Sequence, residues 1–215
     1  MTNEVKIVKK QVEGIRLTPG SILLILACTF LIILATFVQF NVTHFILPKE
    51  LFQGENLVFK DFLYTYKFIP QIPVVMFVGA FLGRKYGLIS ILLYILLGLF
   101  IIPVFAIGGG PGYVIEYGFG YILAYIPAVF LADTILNNGF SAKNILKATL
   151  VGVLTIHLIG VLYMLFIASI KQEGLIFMQS WIYAQSGLKI LYDIAFSFGA
   201  LFITRYLKII LWFYM

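Results

Sequence analysis

Apolar positions in this chain neither alternate with polar ones nor recur as a single helical stripe. They form long continuous runs, separated by short clusters of Gly, Pro and charged residues. The runs cover residues 21–40, 68–82, 88–106, 120–136, 146–168 and 182–204. A helix needs about 20 predominantly apolar residues to cross the hydrocarbon core of a bilayer, so each run reads as a membrane span. The second is short and carries Pro70, Gln71 and Pro73, which suits a helix entered through an irregular, protein-buried segment. The first is too long for a signal-peptide core and lacks a small-residue cleavage site, so it also counts as a span. No linker or shift in composition divides the chain. The pattern predicts a single-domain, all-α integral membrane protein of six transmembrane helices. Between the first two spans lies a long connection, residues 41–67, with Phe45, Phe52, Phe59, Phe62, Tyr64 and Tyr66. It is expected either to fold onto the body as a lid or to rest at the membrane interface. The apolar tail after Arg205 is expected to continue the last helix.

Composition supports a lipid solvent. Of 215 residues, 62% are hydrophobic and only 11% charged, against about 45–50% and about 25% in soluble domains. A soluble domain of this size has too little interior to hide that excess. Cys28 is the only cysteine, so neither an intramolecular disulfide nor a cysteine metal cluster is possible. The formal charge of +6 is scattered in short pairs, which argues against a nucleic-acid partner. It reports topology instead. With both termini inside, one face holds Lys6, Lys9, Lys10, Arg16, Arg84, Lys85, Lys143, Lys147, Arg205 and Lys208. The other holds Lys49, Lys60, Lys67 and Lys171, offset by Glu50, Glu55, Asp61, Glu116 and Glu173. That asymmetry follows the positive-inside rule and predicts a multi-pass plasma-membrane protein with N-in/C-in orientation.

Catalytic signatures are missing. The chain has no GxxxxGK[ST] phosphate loop, no HExxH and no GxSxG, so a non-enzyme without cofactor or metal is expected. Polar side chains at membrane depth are costly and therefore mark candidate sites. Lys189 and Asp193 are four residues apart on one face of the last span. They either neutralise each other or line a cavity, with Lys189 facing an anionic group and Asp193 accepting ligand N–H bonds. His157 lies mid-span, bonded to a neighbouring helix or to a ligand. Gln71, between two prolines, satisfies freed carbonyls or meets a ligand. The segment from Gly108 to Tyr121, GGGPGYVIEYGFGY, is either an outer turn or a loop whose glycines, Gly109, Gly110 and Gly120, let backbone approach a bound molecule. Phe105, Tyr113, Tyr117, Phe119 and Tyr121 would supply ring walls. Gly79, Gly83 and Gly87 at four-residue spacing, with Ala27 and Ala35 two turns apart, permit close helix packing within the bundle or docking of another membrane protein.

These motifs resemble the biotin-specific substrate-binding component of energy-coupling factor transporters, the BioY family. The resemblance runs from about Gln71 to Tyr125, with a further patch in the fifth span. QIPVVMFVGAFLGRKYG carries the family's spacing of Gln71, Gly79, Gly83 and Gly87, and YILLGLFIIPVF that of Tyr94, Gly98, Pro103 and Phe105. GGGPGYVIEYGFGYILAYIP is similar to a subgroup's glycine segment with its Glu116, and IHLIGVLY to that subgroup's fifth helix, through His157, Gly160 and Tyr163. Two departures stand out. The family's Pro-Thr is Tyr117-Gly118 here. Its last-helix Gly-Asp-x-x-Lys becomes Tyr192, Asp193 and Phe196, with Lys189 one turn earlier on the same face. The resemblance implies a six-helix biotin-binding component that works with a transmembrane coupling protein and two cytosolic ATPases. The alternatives are a binder of another small vitamin on the same fold, or a non-transporting membrane scaffold.

Overall fold

The structure, a computed structural model, describes residues 17–47, 51 and 58–214. Lys6, Lys9, Lys10, Arg16, Lys49, Glu50, Phe52 and Glu55 lie outside the described residues. Helix α1, Pro19–Phe37, starts at a capping box: Thr18 accepts from the Ser21 backbone, and Pro19 takes the first turn, where no N–H is needed. Two strands follow where helix or loop was expected. Strand β1, Phe40–Phe45, pairs antiparallel with β2, Leu63–Phe68, Phe40 opposite Phe68 and Phe45 opposite Leu63. The all-α expectation is therefore corrected to a mostly helical fold with a two-stranded sheet. Its sequence explains the difference: Val42, Thr43, Tyr64, Thr65 and Tyr66 are β-branched or aromatic, and the Thr43 and Thr65 hydroxyls bond across the pair at 3.0 Å. Phe40 and Phe68, read as span ends, belong to this hairpin.

Helix α2, Gln71–Phe100, is broken at Gly83, whose φ of 73° and ψ of 175° are open essentially to glycine alone. A Cβ on Gly87 would lie 3.0 Å from the Gly79 Cα, although eight residues of straight helix rise about 12 Å. The two arms, residues 71–82 and 84–100, thus fold back on each other. The second arm stops before the expected 106 because Pro103 cannot donate and disfavours helix at the residue before it. Helices α3, Phe119–Leu123, and α4, Tyr125–Leu136, follow in near continuity; Pro127 cannot donate to the Leu123 carbonyl, which accounts for the break. Helix α5 is Ala142–Ile170, capped by Ser141. The expected last span, 182–204, is redrawn. Helix α6, Leu175–Ser186, ends at Gly187, and α7, Lys189–Tyr214, continues through the tail.

Among the described residues, five helical stretches are long and apolar enough to cross a membrane: Pro19–Phe37, Gln71–Phe100, Phe119–Leu136, Ala142–Ile170 and Leu175–Ile210. Helix α2 packs on α1, α4 and α7, while α5 packs on α3, α4 and α7. Small residues set the spacing, as expected where lipid offers no hydrophobic drive between helices. Val129 of α4 packs into the notch at Gly79, where a Cβ would sit 2.6 Å from it. The charged residues then sort to opposite ends. At one, Arg84 pairs with Asp133 at 3.2 Å and donates to Thr134, and Lys208 lies 4.8 Å over the Phe140 ring. At the other lie the hairpin and residues 101–118 and 171–188. There Tyr117 donates to Glu173 at 2.6 Å, which raises its phenol to about 12, and Lys171 lies 4.4 Å over the Tyr117 ring.

Candidate ligand-binding site

A cavity of about 390 Å³ opens at the hairpin end of the bundle, within the range of about 300–1,000 Å³ typical of small-molecule sites. All the helices except α5 contribute: Thr36 and Phe37 from α1, Gln71 and Ile72 from α2, Tyr121, Ile122 and Tyr125 from α3 and α4, Trp181 and Gln185 from α6, and Lys189 from α7. Its wall is mostly ring and aliphatic surface with few polar groups, the usual make-up of a site that binds an apolar body by its polar ends. Among the described residues no cluster of His, Cys, Asp or Glu could hold a metal ion.

One polar corner is organised by Gln71. Its amide donates to Thr36 Oγ1 at 2.9 Å and to Tyr94 Oη at 2.6 Å. Both N–H groups are thereby committed, and the carbonyl oxygen remains as an acceptor on the cavity wall. Tyr94 is itself fixed by Phe105, which packs edge-on at 5.4 Å. Phe105 is buried beneath the cavity and also packs against Tyr113 and Gly98. It supports the wall without lining it.

The other corner is charged. Lys189 Nζ lies 2.6 Å from Asp193 Oδ2, with side chains 13% and 0% exposed. His157 Nε2 lies 3.1 Å from the same oxygen. On its other side His157 Nδ1 meets Ser186 Oγ at 2.9 Å, and Ser186 meets Tyr121 Oη at 2.6 Å. Five residues from α3, α5, α6 and α7 therefore form one hydrogen-bonded chain between Lys189 and Tyr121, which both line the cavity. Asp193 is fully buried behind Lys189, and its Oδ1 has no partner among the described residues. Asp193 does not itself line the cavity; it holds the lysine and the histidine.

Tyr121 owes its position to an exchange of notches. A Cβ on Gly160 would lie 2.5 Å from the Tyr121 ring, and one on Gly120 2.2 Å from Tyr163. Each helix thus seats its tyrosine on the other's glycine. Gly120 and Tyr163 face this helix contact, and Tyr163 further donates to the Val114 carbonyl. Gly120 therefore packs against Tyr163 and does not open onto the cavity. Gly110 donates its N–H to Gly98 at 2.8 Å, and Gly109 packs on Gly98 and Pro103. Within this segment Gly118 reaches the cavity wall, while Gly109 and Gly110 close a tight loop onto the end of α2 and do not line it. Neither does Glu116, which is half-buried in that loop. The small residues read as a docking stripe also separate: Ala35 is buried, Ala27 exposed, Gly79 packed on Val129, and Gly83 sits in a turn.

The structure adds Thr36, Tyr125, Trp181, Gln185 and Ser186, which the sequence left unmarked. Each is an ordinary residue within an apolar or unassigned stretch, so no spacing announces it. The Phe196 departure finds a partner: its ring stacks on Phe68 of the hairpin at 4.9 Å, while Tyr192 stacks on Tyr66 at 5.5 Å. A second, more open and apolar groove of about 630 Å³ lies between α5, α6 and α7, lined by Leu154, Leu158, Ile182 and Ile190, and it is this groove, not the first cavity, that His157 and Ser186 line.

Comparison with known proteins follows this geometry. The model of the BioY family matches residues 8–211. A probable biotin transporter BioY of Lysinibacillus sphaericus is 33% identical over 99 residues, 45% of this chain and 50% of that protein. One of Pyrococcus horikoshii is 41% identical over 91 residues, 42% of this chain and 53% of that protein. In these alignments the chain spans about half the length of the curated relatives it matches. The solved S-component for biotin of an ECF-type ABC transporter shares the fold, with a TM-score of 0.61 at 22% identity over 90% of this chain and 95% of that one.

Proposed function

The chain belongs to the BioY family, and from that premise we propose that it is the membrane-embedded biotin-binding component of an energy-coupling factor transporter. The observation that carries the reading is the cavity itself, with its lysine at one corner, an uncommitted amide acceptor at the other and rings between. Biotin presents matching chemistry: a carboxylate for the Lys189 ammonium, ureido N–H groups for the Gln71 carbonyl, and an apolar body for Tyr121, Tyr125 and Trp181. The relatives carry the name of biotin transporters. The membrane arrangement proposed with it counts the two arms of α2 separately. Six spans then result, with both termini on the cytoplasmic side of the plasma membrane, and the cavity opens outward. Arg84, Lys85, Lys143, Lys147, Arg205 and Lys208 would lie at the inner end, in keeping with the positive-inside rule. A coupling protein and two ATPases would complete the transporter, since the chain has no phosphate loop of its own.

Direct binding of labelled biotin to purified protein in nanodiscs tests the reading. Saturable binding that unlabelled biotin displaces, together with a biotin-dependent rise in melting temperature, is expected. Protection by another vitamin and none by biotin would shift the substrate on the same fold. No response to any vitamin would leave a membrane scaffold.

A further inference from the structure

Donor and acceptor arithmetic along the chain from Lys189 to Tyr121 allows two consistent states. With Asp193 ionised and His157 neutral, Nε2–H must donate to Asp193, so Nδ1 is the acceptor. Ser186 then donates to Nδ1 and Tyr121 donates to Ser186. With His157 protonated, Nδ1–H donates to Ser186. The two hydroxyls must reverse, Ser186 donating to Tyr121 and Tyr121 turning its own proton toward the cavity that it lines.

The charges distinguish the states. Lys189 and Asp193 together are neutral. An anionic ligand at Lys189 leaves one uncompensated negative charge beside a carboxylate that is fully buried, an unfavourable arrangement in a low-dielectric interior. Histidine is the side chain that ordinarily changes charge between pH 5 and 8, and His157 touches that carboxylate. Among the described residues, the other titratable groups facing the pair are phenols: Tyr121 and Tyr125 from α3 and α4, and Tyr66 from the hairpin. From α6 comes the Ser186 hydroxyl. The charged groups of α2 are remote, since Arg84 is held by Asp133 at the opposite end of the bundle.

We propose that His157 is a proton-binding site coupled to the cavity, taking up one proton from solvent when an anionic ligand occupies Lys189. Tyr121 takes the incoming proton and passes its own to Ser186, which passes its own to Nδ1, so each hydroxyl ends with one O–H and His157 gains one N–H. Neutrality is restored around Asp193, and Tyr121 gains a donor directed at the ligand. The inference rests on the proposed contact of the biotin carboxylate with Lys189.

Titration calorimetry of the whole protein with biotin, in phosphate and in Tris at the same pH, counts the protons exchanged. Net uptake approaching one proton per ligand is expected. Because the complex holds more protons than the free protein, affinity falls as pH rises, by up to about tenfold per pH unit for one proton. Biotin amide, which brings no charge, is expected to show no uptake. His157→Gln should abolish the uptake, and Ser186→Ala should reduce it; both are read by proton count, whatever their affinity. If biotin binds with no uptake, or the amide takes up as many protons as the acid, the coupling is overturned while biotin binding stands. Uptake preserved in His157→Gln overturns the assignment to that residue. Should that variant not fold, unchanged uptake in Ser186→Ala rejects the relay instead. Absence of biotin binding in the wild type would overturn the functional reading and the coupling together.

Discussion

Lys189 stands seven residues, about two helical turns, before Phe196, yet its ammonium reaches the cavity. The reason is angular: residues four apart share a helix face, so Lys189 keeps company with Asp193, while Phe196 turns onto the hairpin. Removing one partner of a desolvated charge pair costs about 2–5 kcal/mol, roughly a 30- to 5,000-fold loss of affinity. Lys189→Ala is therefore expected to weaken biotin by that factor and biotin amide far less, in parallel binding titrations. Equal losses for acid and amide would reduce the lysine to a support for Asp193. At the opposite corner, Gln71→Leu removes the acceptor and leaves Tyr94 and Thr36 without their donor. Loss of a hydrogen bond to a buried partner costs about 1–3 kcal/mol, so a five- to 150-fold weaker dissociation constant is expected for acid and amide alike.

Two glycine contacts decide how elements meet. Gly83 permits the reversal between the arms of α2, with φ at 73°; an L side chain there is strained by about 1–3 kcal/mol. Gly83→Ala is expected to lower the melting temperature in proportion. A variant with unchanged melting temperature but blocked transport would instead assign Gly83 to docking of a coupling protein. Gly120 lets α3 and α5 approach, and a Cβ there would overlap Tyr163 at 2.2 Å. Overpacking of this kind typically costs about 1–3 kcal/mol. Gly120→Val should therefore lower both thermal stability and affinity, because Tyr121 moves with its helix. Loss of affinity with stability untouched would return Gly120 to direct ligand contact.

At the scale of the molecule, the hairpin end gathers the cavity and the opposite end gathers most of the cations. Reporter fusions at Gly112 and Glu173 are expected to read outside, and fusions at Lys143 and the C-terminus inside. A C-terminus outside would require an odd number of spans and would remove the cavity from the outer face.

Much of the architecture was legible in the sequence because lipid imposes a strict rule on apolar length and on the placement of cations. The apolar runs, the charge sorting, and the choice of Gln71, His157, Lys189 and Asp193 as candidates follow from that rule, since polar groups at depth stand out. Strands β1 and β2 were less legible because aromatic residues beside a membrane suit an interface as well as a sheet, and only their mutual register separates the two. The same holds for the glycines. Gly79, Gly83 and Gly87 share a spacing, yet one packs on Val129, one turns the chain and one meets Gly79. Spacing reports which face a residue occupies, not what lies across from it. Thr36, Tyr94, Tyr125, Trp181 and Ser186 became part of the site through helices far apart in sequence. The polarity of the chain thus determined what had to be buried, and the packing of small residues against rings decided which groups would share a cavity.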